Sequence, residues 1–209
     1  MAVISESFVI GPVGTNVYVI YDDAIREAVI VDPADRGADI YEAIENAGLT
    51  AAGILLTHGH FDHISGVLEL RAKSGCKVYA SELEREVLSD PVLNESVGMG
   101  RKSVSITADV ELSDGDEIEL GGMKFTAIST PGHTKGGMSY YLEAEKRLYC
   151  GDTLFRESVG RTDLPTGSFS EIVRSIKDKL LILPEEVIAY PGHGGETTIG
   201  DEKRYNPFL

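Results

Sequence analysis

The sequence predicts a single α/β (α+β) domain over residues 1–209, with two mixed β-sheets and helices on their outer faces. Three observations predict it. Short β-branched runs alternate with helical periodicity through the first half, strand-like segments separated by tight turns dominate the second, and no linker-like change in composition divides them. A chain of 209 residues with 42% apolar and 25% charged residues can bury its own core without disulfides.

The elements follow in order. Phe8 to Ile10, Val17 to Tyr21 and Ala28 to Val31 read as strands, broken by Gly11-Pro12, Gly14 and Asp22-Asp23, and Asp32-Pro33 closes the third. From Asp39 the positions Ile40, Ala43, Ile44 and Ala47 recur at helical spacing, with Gly48 placed as a C-cap. Gly53 to Thr57 is a buried strand. Residues 62–74 are expected as one helix, because Ile64, Val67, Leu68 and Ala72 share a face and Ser74-Gly75 ends it. Lys77 to Ala80 is a strand, and Ser81 followed three residues on by Glu84 has the form of a capping box opening a helix through Leu88. Residues 90–104 show no period and are expected as a surface loop near the substrate. The segments 117–120, 124–129, 138–143 and 147–150 are expected as an antiparallel meander, followed by a helix over 168–181, a strand over 187–190 and a short terminal helix.

Charge narrows the partners. With 19 Lys+Arg against 34 Asp+Glu the formal balance is −15, which repels phosphate backbones and anionic lipid, so neither nucleic acid nor membrane is expected as a partner. The N-terminus lacks a basic segment followed by an apolar run, and the expected location is cytoplasmic. Cys76 and Cys150, far apart and in no paired spacing, are expected as free buried thiols.

The five histidines concentrate the chemistry, because each follows a predicted strand in a turn bearing Gly, Pro or Thr. In Thr57-His58-Gly59-His60-Phe61-Asp62-His63, residues two apart on an extended segment point the same way, so His58 and His60 converge on one cation. Asp62 and His63, at the start of the next helix, are aimed elsewhere and supply a second site. His133, in Pro131-Gly132-His133-Thr134, and His193, in Pro191-Gly192-His193-Gly194, each add an imidazole as the third ligand of one site. Three protein ligands with an open position describe a catalytic metal site rather than a structural one. Asp152, after Cys150-Gly151, is the candidate bridging carboxylate. Thr57, Thr134 and Asp32 are candidates for orienting these ligands, and Tyr140, Tyr141 and Tyr190 are expected to pack within the sheets.

The pattern HxHxDH at 58–63, with His133, Asp152 and His193 following in that order, resembles the metallo-β-lactamase superfamily over nearly the whole chain. The resemblance implies an αββα sandwich with a binuclear site at one edge. One metal would take His58, His60 and His133, the other Asp62, His63 and His193, with Asp152 bridging. It implies two divalent ions, zinc ahead of iron or manganese, that lower the pKa of a shared water. Asp62 would also orient that water or take its proton. Lactamase classes B1 and B3 carry cysteine or serine at the bridging position, which sets them aside. Within the superfamily the likeness is to short glyoxalase II-type hydrolases, carried by Gly151 to Phe155, Gly160-Arg161-Thr162-Asp163 and the tail from Thr197 to Phe208.

The function so implied is hydrolysis of a small thioester of the S-D-lactoylglutathione type, with Arg161 as a substrate anion contact. Asp163 and Gly195 stand where that group carries glutathione-supporting tyrosines. The alternative is a mononuclear iron persulfide dioxygenase using His58, His133 and Asp152. Pro191-Gly192-His193-Gly194 departs from the Ala-His-Asp-Tyr of that branch and favours hydrolysis.

Overall fold

The computed structural model describes residues 2–97 and 103–209. One sheet holds β1 (Val3–Ile10), β2 (Thr15–Asp22), β3 (Glu27–Val31), β4 (Thr50–Leu55), β5 (Lys77–Ser81) and β6 (Val110–Leu112) in that spatial order. Its first three strands are antiparallel, and β3 through β6 run parallel. The second sheet contains β7 (Glu117–Leu120), β8 (Met123–Ser129), β9 (Met138–Leu142) and β10 (Arg147–Gly151), then β13 (Ile188–Pro191) and β14 (Thr197–Thr198) beyond β10. The expected meander forms from β7 to β10, and β13 joins β10 in parallel. A small hairpin, β11 (Leu154–Phe155) and β12 (Ser158–Val159), stands apart.

Strand alternation makes this a four-layer stack. Along β2, Tyr18 and Ile20 point between the sheets while Val17 and Val19 point to the helices, so both faces are buried. The inter-sheet core joins Tyr18, Ile20, Val29, Val31 and Leu55 to Phe125, Ala127, Tyr140 and Tyr149. Outside the first sheet, Ile40 and Ile44 of α1 (Gly37–Asn46) and Leu70 of α3 (Val67–Ser74) cover Val17, Ile30 and Ile54. Outside the second, Ile172 of α5 (Phe169–Ser175) and Ile199 of α6 (Ile199–Tyr205) cover Leu148, Cys150 and Ala189. The turns of the π-helix over Ile176–Leu180 continue α5, completing the helix expected over 168–181. Cys76 and Cys150 are free and buried, and Tyr140 donates its hydroxyl to the Leu56 carbonyl at 2.8 Å within the core.

Several local expectations are corrected. The helix expected over 62–74 is two, α2 (Phe61–Ile64) and α3, because Gly66 turns its N–H to the Pro33 carbonyl at 2.8 Å. A Cβ on Gly66 would lie 2.7 Å from that same carbonyl oxygen. The capping box is not made. Ser81 Oγ accepts from Leu83 N at the start of a short 3-10 turn, α4 (Arg85–Ser89) follows, and Glu84 turns into the protein. Part of the 90–104 loop is anchored: the buried Asn94 accepts from Phe61 N and donates to the Val104 carbonyl. Its middle, 98–102, lies outside the described residues. Among the described residues no helix is long and apolar enough to cross a membrane.

Strand direction gathers the candidate residues. β8, β10 and β13 run the same way in the second sheet and β3 and β4 the same way in the first. The residues that follow these strands, Asp32, His58 to His63, His133, Asp152 and His193, meet at one edge of the sandwich.

Candidate metal centre

The loop after β4 is extended at His60, with φ −66° and ψ 146°, and α2 begins at once. That change of conformation aims His58 and His60 to one side and Asp62 and His63, in the first helical turn, to another. Donor atoms of His58, His60 and His133 lie within 4.8 Å of one another, as do those of Asp62, His63 and His193. His60 Nδ1 faces His133 Nε2 at 2.9 Å, and His193 Nε2 faces Asp62 Oδ2 at 3.2 Å. Asp152 stands between the groups, its Oδ1 3.4 Å from His63 Nε2 and its Oδ2 3.6 Å from His133 Nε2 and 3.5 Å from His193 Nε2. Gly151, at φ +49°, brings it there; a Cβ on Gly151 would fall 2.2 Å from Thr57 Oγ1.

A third grouping, Asp32 with His58 and His63, has equally close donor atoms. Its carboxylate is already engaged. Thr57 N donates to Asp32 Oδ1 at 2.8 Å, and Thr57 Oγ1 and His63 Nδ1 donate to Oδ2 at 2.6 and 2.9 Å. With its own proton given to Asp32, Thr57 Oγ1 accepts from His58 Nδ1 at 3.1 Å. His133 Nδ1 donates to the Arg161 carbonyl at 2.7 Å and His193 Nδ1 to that of Gly14 at 3.3 Å. Four imidazoles therefore carry a proton on Nδ1 and turn Nε2 inward, where a metal ion can take the place of a second proton.

The donor set fits a pair of cations. Nε2 of His58, His60 and His63 and Oδ1 of Asp152 are buried without a hydrogen-bond partner. Orphaned buried polar atoms are costly, and divalent ions at these points would satisfy those of His58, His63 and Asp152. Imidazole and carboxylate without thiolate suit zinc, iron or manganese. The electrostatics agree. Burial and crowding by neighbouring imidazoles hold His58 well below the usual histidine range and His60 down to about 3, so both are neutral. Burial would lower His63 too, but Asp62, Asp152 and Asp32 push it well above that range, marking a point where positive charge is favoured. Burial would raise Asp62, yet His63, His193 and Thr15 hold it ionised, well below the carboxylate range.

Over the two groups lies a cleft of about 510 Å³, rimmed by Val13, Phe61, Phe155, Leu164, Glu95 and Arg161. Arg161 thus reaches the cleft, and its exposed guanidinium forks onto Asp163, with Nε and Nη2 each 2.8 Å from a carboxylate oxygen. Its backbone carbonyl is what orients His133.

Sequence reasoning missed three residues that hold the ligands. Glu84 hides behind its resemblance to a capping partner. Thr15 and Asn16 precede the strand expected from Val17 and carry no motif, yet Thr15 Oγ1 donates to Asp62 Oδ2 at 3.0 Å and Asn16 Nδ2 to the carbonyls of Pro191 and Gly194. Their nearest signal is Gly14-Thr15-Asn16, a small polar turn ahead of a strand buried on both faces.

Comparison with known proteins places this geometry. Residues 10–193 match the model of the metallo-beta-lactamase superfamily. The probable metallo-hydrolase YqgX of Bacillus subtilis (strain 168) is 40% identical over 203 residues, 96% of this chain and 94% of that one. The hydroxyacylglutathione hydrolase GloC of Haemophilus influenzae is 34% identical over 200 residues, 93% of this chain and 92% of that one. Among solved structures, BLEG-1, described as a B3 metallo-beta-lactamase, has a TM-score of 0.93 at 40% identity, covering 99% of both chains. TTHA1623, solved in a di-iron-bound form, has a TM-score of 0.86 at 33% identity, covering 98% of this chain and 100% of that one. The matched segment runs from the end of β1 through His193 and so contains every side chain of both groups, and the chain belongs to the metallo-beta-lactamase superfamily.

Proposed function

We propose that this protein is a binuclear metal-dependent hydrolase of small thioesters, with S-D-lactoylglutathione or a related acyl thioester as substrate. The observation that carries the reading is Asp152, within 3.4–3.6 Å of imidazoles from both three-residue groups. His58, His60 and His133 would hold one divalent cation and Asp62, His63 and His193 the other, with Asp152 shared; such a pair supplies hydroxide at neutral pH and polarises a carbonyl.

The chain's own residues do the rest. Asp62, kept ionised and fixed by Thr15, orients the attacking water. Val13, Phe61, Phe155 and Leu164 give the cleft an apolar rim that takes the body of the substrate and keeps bulk water away. Arg161 receives an anionic group at the mouth. With Nε2 given to a cation, these four imidazoles keep only the N–H they already donate outward, so none of them is free to protonate a leaving group. A thiolate needs no such proton. The relationship to GloC, itself a hydroxyacylglutathione hydrolase, supports the same substrate class.

Hydrolysis of β-lactams is the second reading, favoured by the 40% identity to BLEG-1 over both full chains. The iron dioxygenase alternative, using His58, His133 and Asp152, leaves Asp62, His63 and His193 assembled without a use. A panel of thioesters and a chromogenic cephalosporin, assayed with the metal-loaded protein, decides among them. Thioester turnover well above that of the β-lactam is expected, and β-lactam turnover with inert thioesters would overturn the proposal.

A further inference from the structure

Glu84 is 1% exposed, yet none of its side-chain hydrogen bonds serves the helix it precedes. Its Oε1 accepts from Gly59 N at 2.8 Å. Its Oε2 accepts from Thr134 Oγ1 at 3.0 Å and from Gly136 N at 2.9 Å. Gly59 sits between His58 and His60, and Thr134 follows His133. One carboxylate therefore ties together the two loops, leaving different sheets, that carry all three imidazoles of one group. Two glycines admit it: a Cβ on Gly136 would lie 2.5 Å from Oε2, and one on Gly59 would lie 3.2 Å from Oε1.

The other group has its own frame. Thr15 fixes Asp62, the Gly14 carbonyl fixes His193, and Asn16 fixes the backbone on either side of His193. Glu84 touches none of these.

We infer that Glu84 is a positioning residue for the His58, His60 and His133 site alone, so that this metal position can be tuned without the other. The inference rests on the two-cation reading of the centre. An amide at this point offers one acceptor oxygen and two N–H donors, so it cannot accept on both sides. Glu84→Gln leaves either Gly59 N or Gly136 N facing another donor.

The test counts bound zinc in metal-free protein equilibrated at buffered free-zinc concentrations. It is run at pH 8, above the value of about 7 to which burial pushes the Glu84 carboxyl against its three donors. Folding is followed by circular dichroism. Losing an orienting partner typically weakens metal by about 10–100-fold. Glu84→Gln is expected to weaken one equivalent by that factor and leave the other as in the wild type. Adding Glu84→Gln to His60→Ala should cost nothing further, while adding it to His193→Ala should. Thr15→Val should show the reverse pattern. Both equivalents unchanged, or both weakened alike, would overturn the inference. If Glu84→Gln does not fold, Thr134→Val removes one of the three bonds and must weaken the same equivalent several-fold, or the inference falls. A wild type that binds fewer than two zinc ions overturns the two-cation reading and this inference with it; two bound ions with an unmoved Glu84→Gln overturn the inference alone.

Discussion

Replacing Asp32 with asparagine should loosen both metal positions while leaving the fold intact. The buried carboxylate accepts from Thr57 N, Thr57 Oγ1 and His63 Nδ1. If the amide turns its oxygen to Thr57 Oγ1 and His63, Thr57 N–H meets another N–H. If it turns the other way, His63 must accept at Nδ1, and its proton moves to Nε2, the atom that faces Asp62 and Asp152. The first orientation loses one buried hydrogen bond, at a cost of about 1–3 kcal/mol in the metal-free chain, and the second keeps the bonds but blocks the Nε2 lone pair of His63. Because Thr57 orients His58 of one group and Asp32 itself orients His63 of the other, each bound cation should weaken by about 10–100-fold. That range corresponds to about 1.4–2.7 kcal/mol per site. Urea denaturation of the metal-free protein measures the first quantity and zinc titration the second. Asp32→Asn that loses stability but binds two zinc ions with wild-type affinity would show that Asp32 packs and does not orient, refuting the reasoning.

Further outcomes follow from the same geometry. His58→Ala and Asp152→Ala should each reduce turnover to background, and activity retained in both would sink the metal mechanism. Arg161→Ala should raise KM for anionic thioesters only a few-fold, because an exposed ion pair such as Arg161 with Asp163 contributes about 1 kcal/mol or less. Asp163→Ala, which frees the guanidinium, should lower it, and equal effects on neutral thioesters would remove the assigned role. Burial pushes the Cys150 thiol up to about 12 and raises Cys76 as well, so both stay protonated at pH 8. A chromogenic disulfide reagent should react with neither until the protein unfolds; rapid labelling of the native chain would refute their burial. Across thioesters of rising thiol pKa, kcat/KM should fall steadily, and a flat dependence would reveal that a proton reaches the leaving thiolate in the rate-limiting step.

The metal centre was legible because its chemistry is written in side-chain type. Five histidines in three strand-end turns leave few other readings, and the expected change from extended segment to helix within 57–63 aims His58 and His60 apart from Asp62 and His63 without coordinates. The sheets were legible where strands are long and apolar on both faces, as in β2. What escaped depends on partners distant in sequence. β6 and β14 are too short to show a period and exist because β5 and β13 offer them an edge. The break between α2 and α3 is set by Pro33, some thirty residues earlier, through its carbonyl on Gly66. Glu84 was misread for the same reason: Ser81 and Glu84 satisfy a local pattern, while its true donors lie 25, 50 and 52 residues away. A local rule loses here because a carboxylate excluded from water needs several donors, and the two ligand loops supply them.

The hydrogen bonds that prepare the imidazoles as ligands also restrict what the site can hydrolyse. Each Nδ1–H committed to Thr57, Asp32, Arg161 or Gly14 fixes a tautomer and aims a lone pair inward. The same commitment removes the imidazole from acid catalysis, since its one proton already has a partner facing away from the cleft. At these four positions binding and acid catalysis therefore compete for a single N–H, and the chain commits it to binding. Asp62, held ionised by His63, His193 and Thr15, cannot stand in as the acid. A substrate whose leaving group departs as a stable anion evades the deficit, and a thioester does so where an amide does not. On the proposed reading, the partners that hold the ligands in place also set the substrate class, so substitutions at Thr57 and Asp32 probe specificity as directly as substitutions in the cleft.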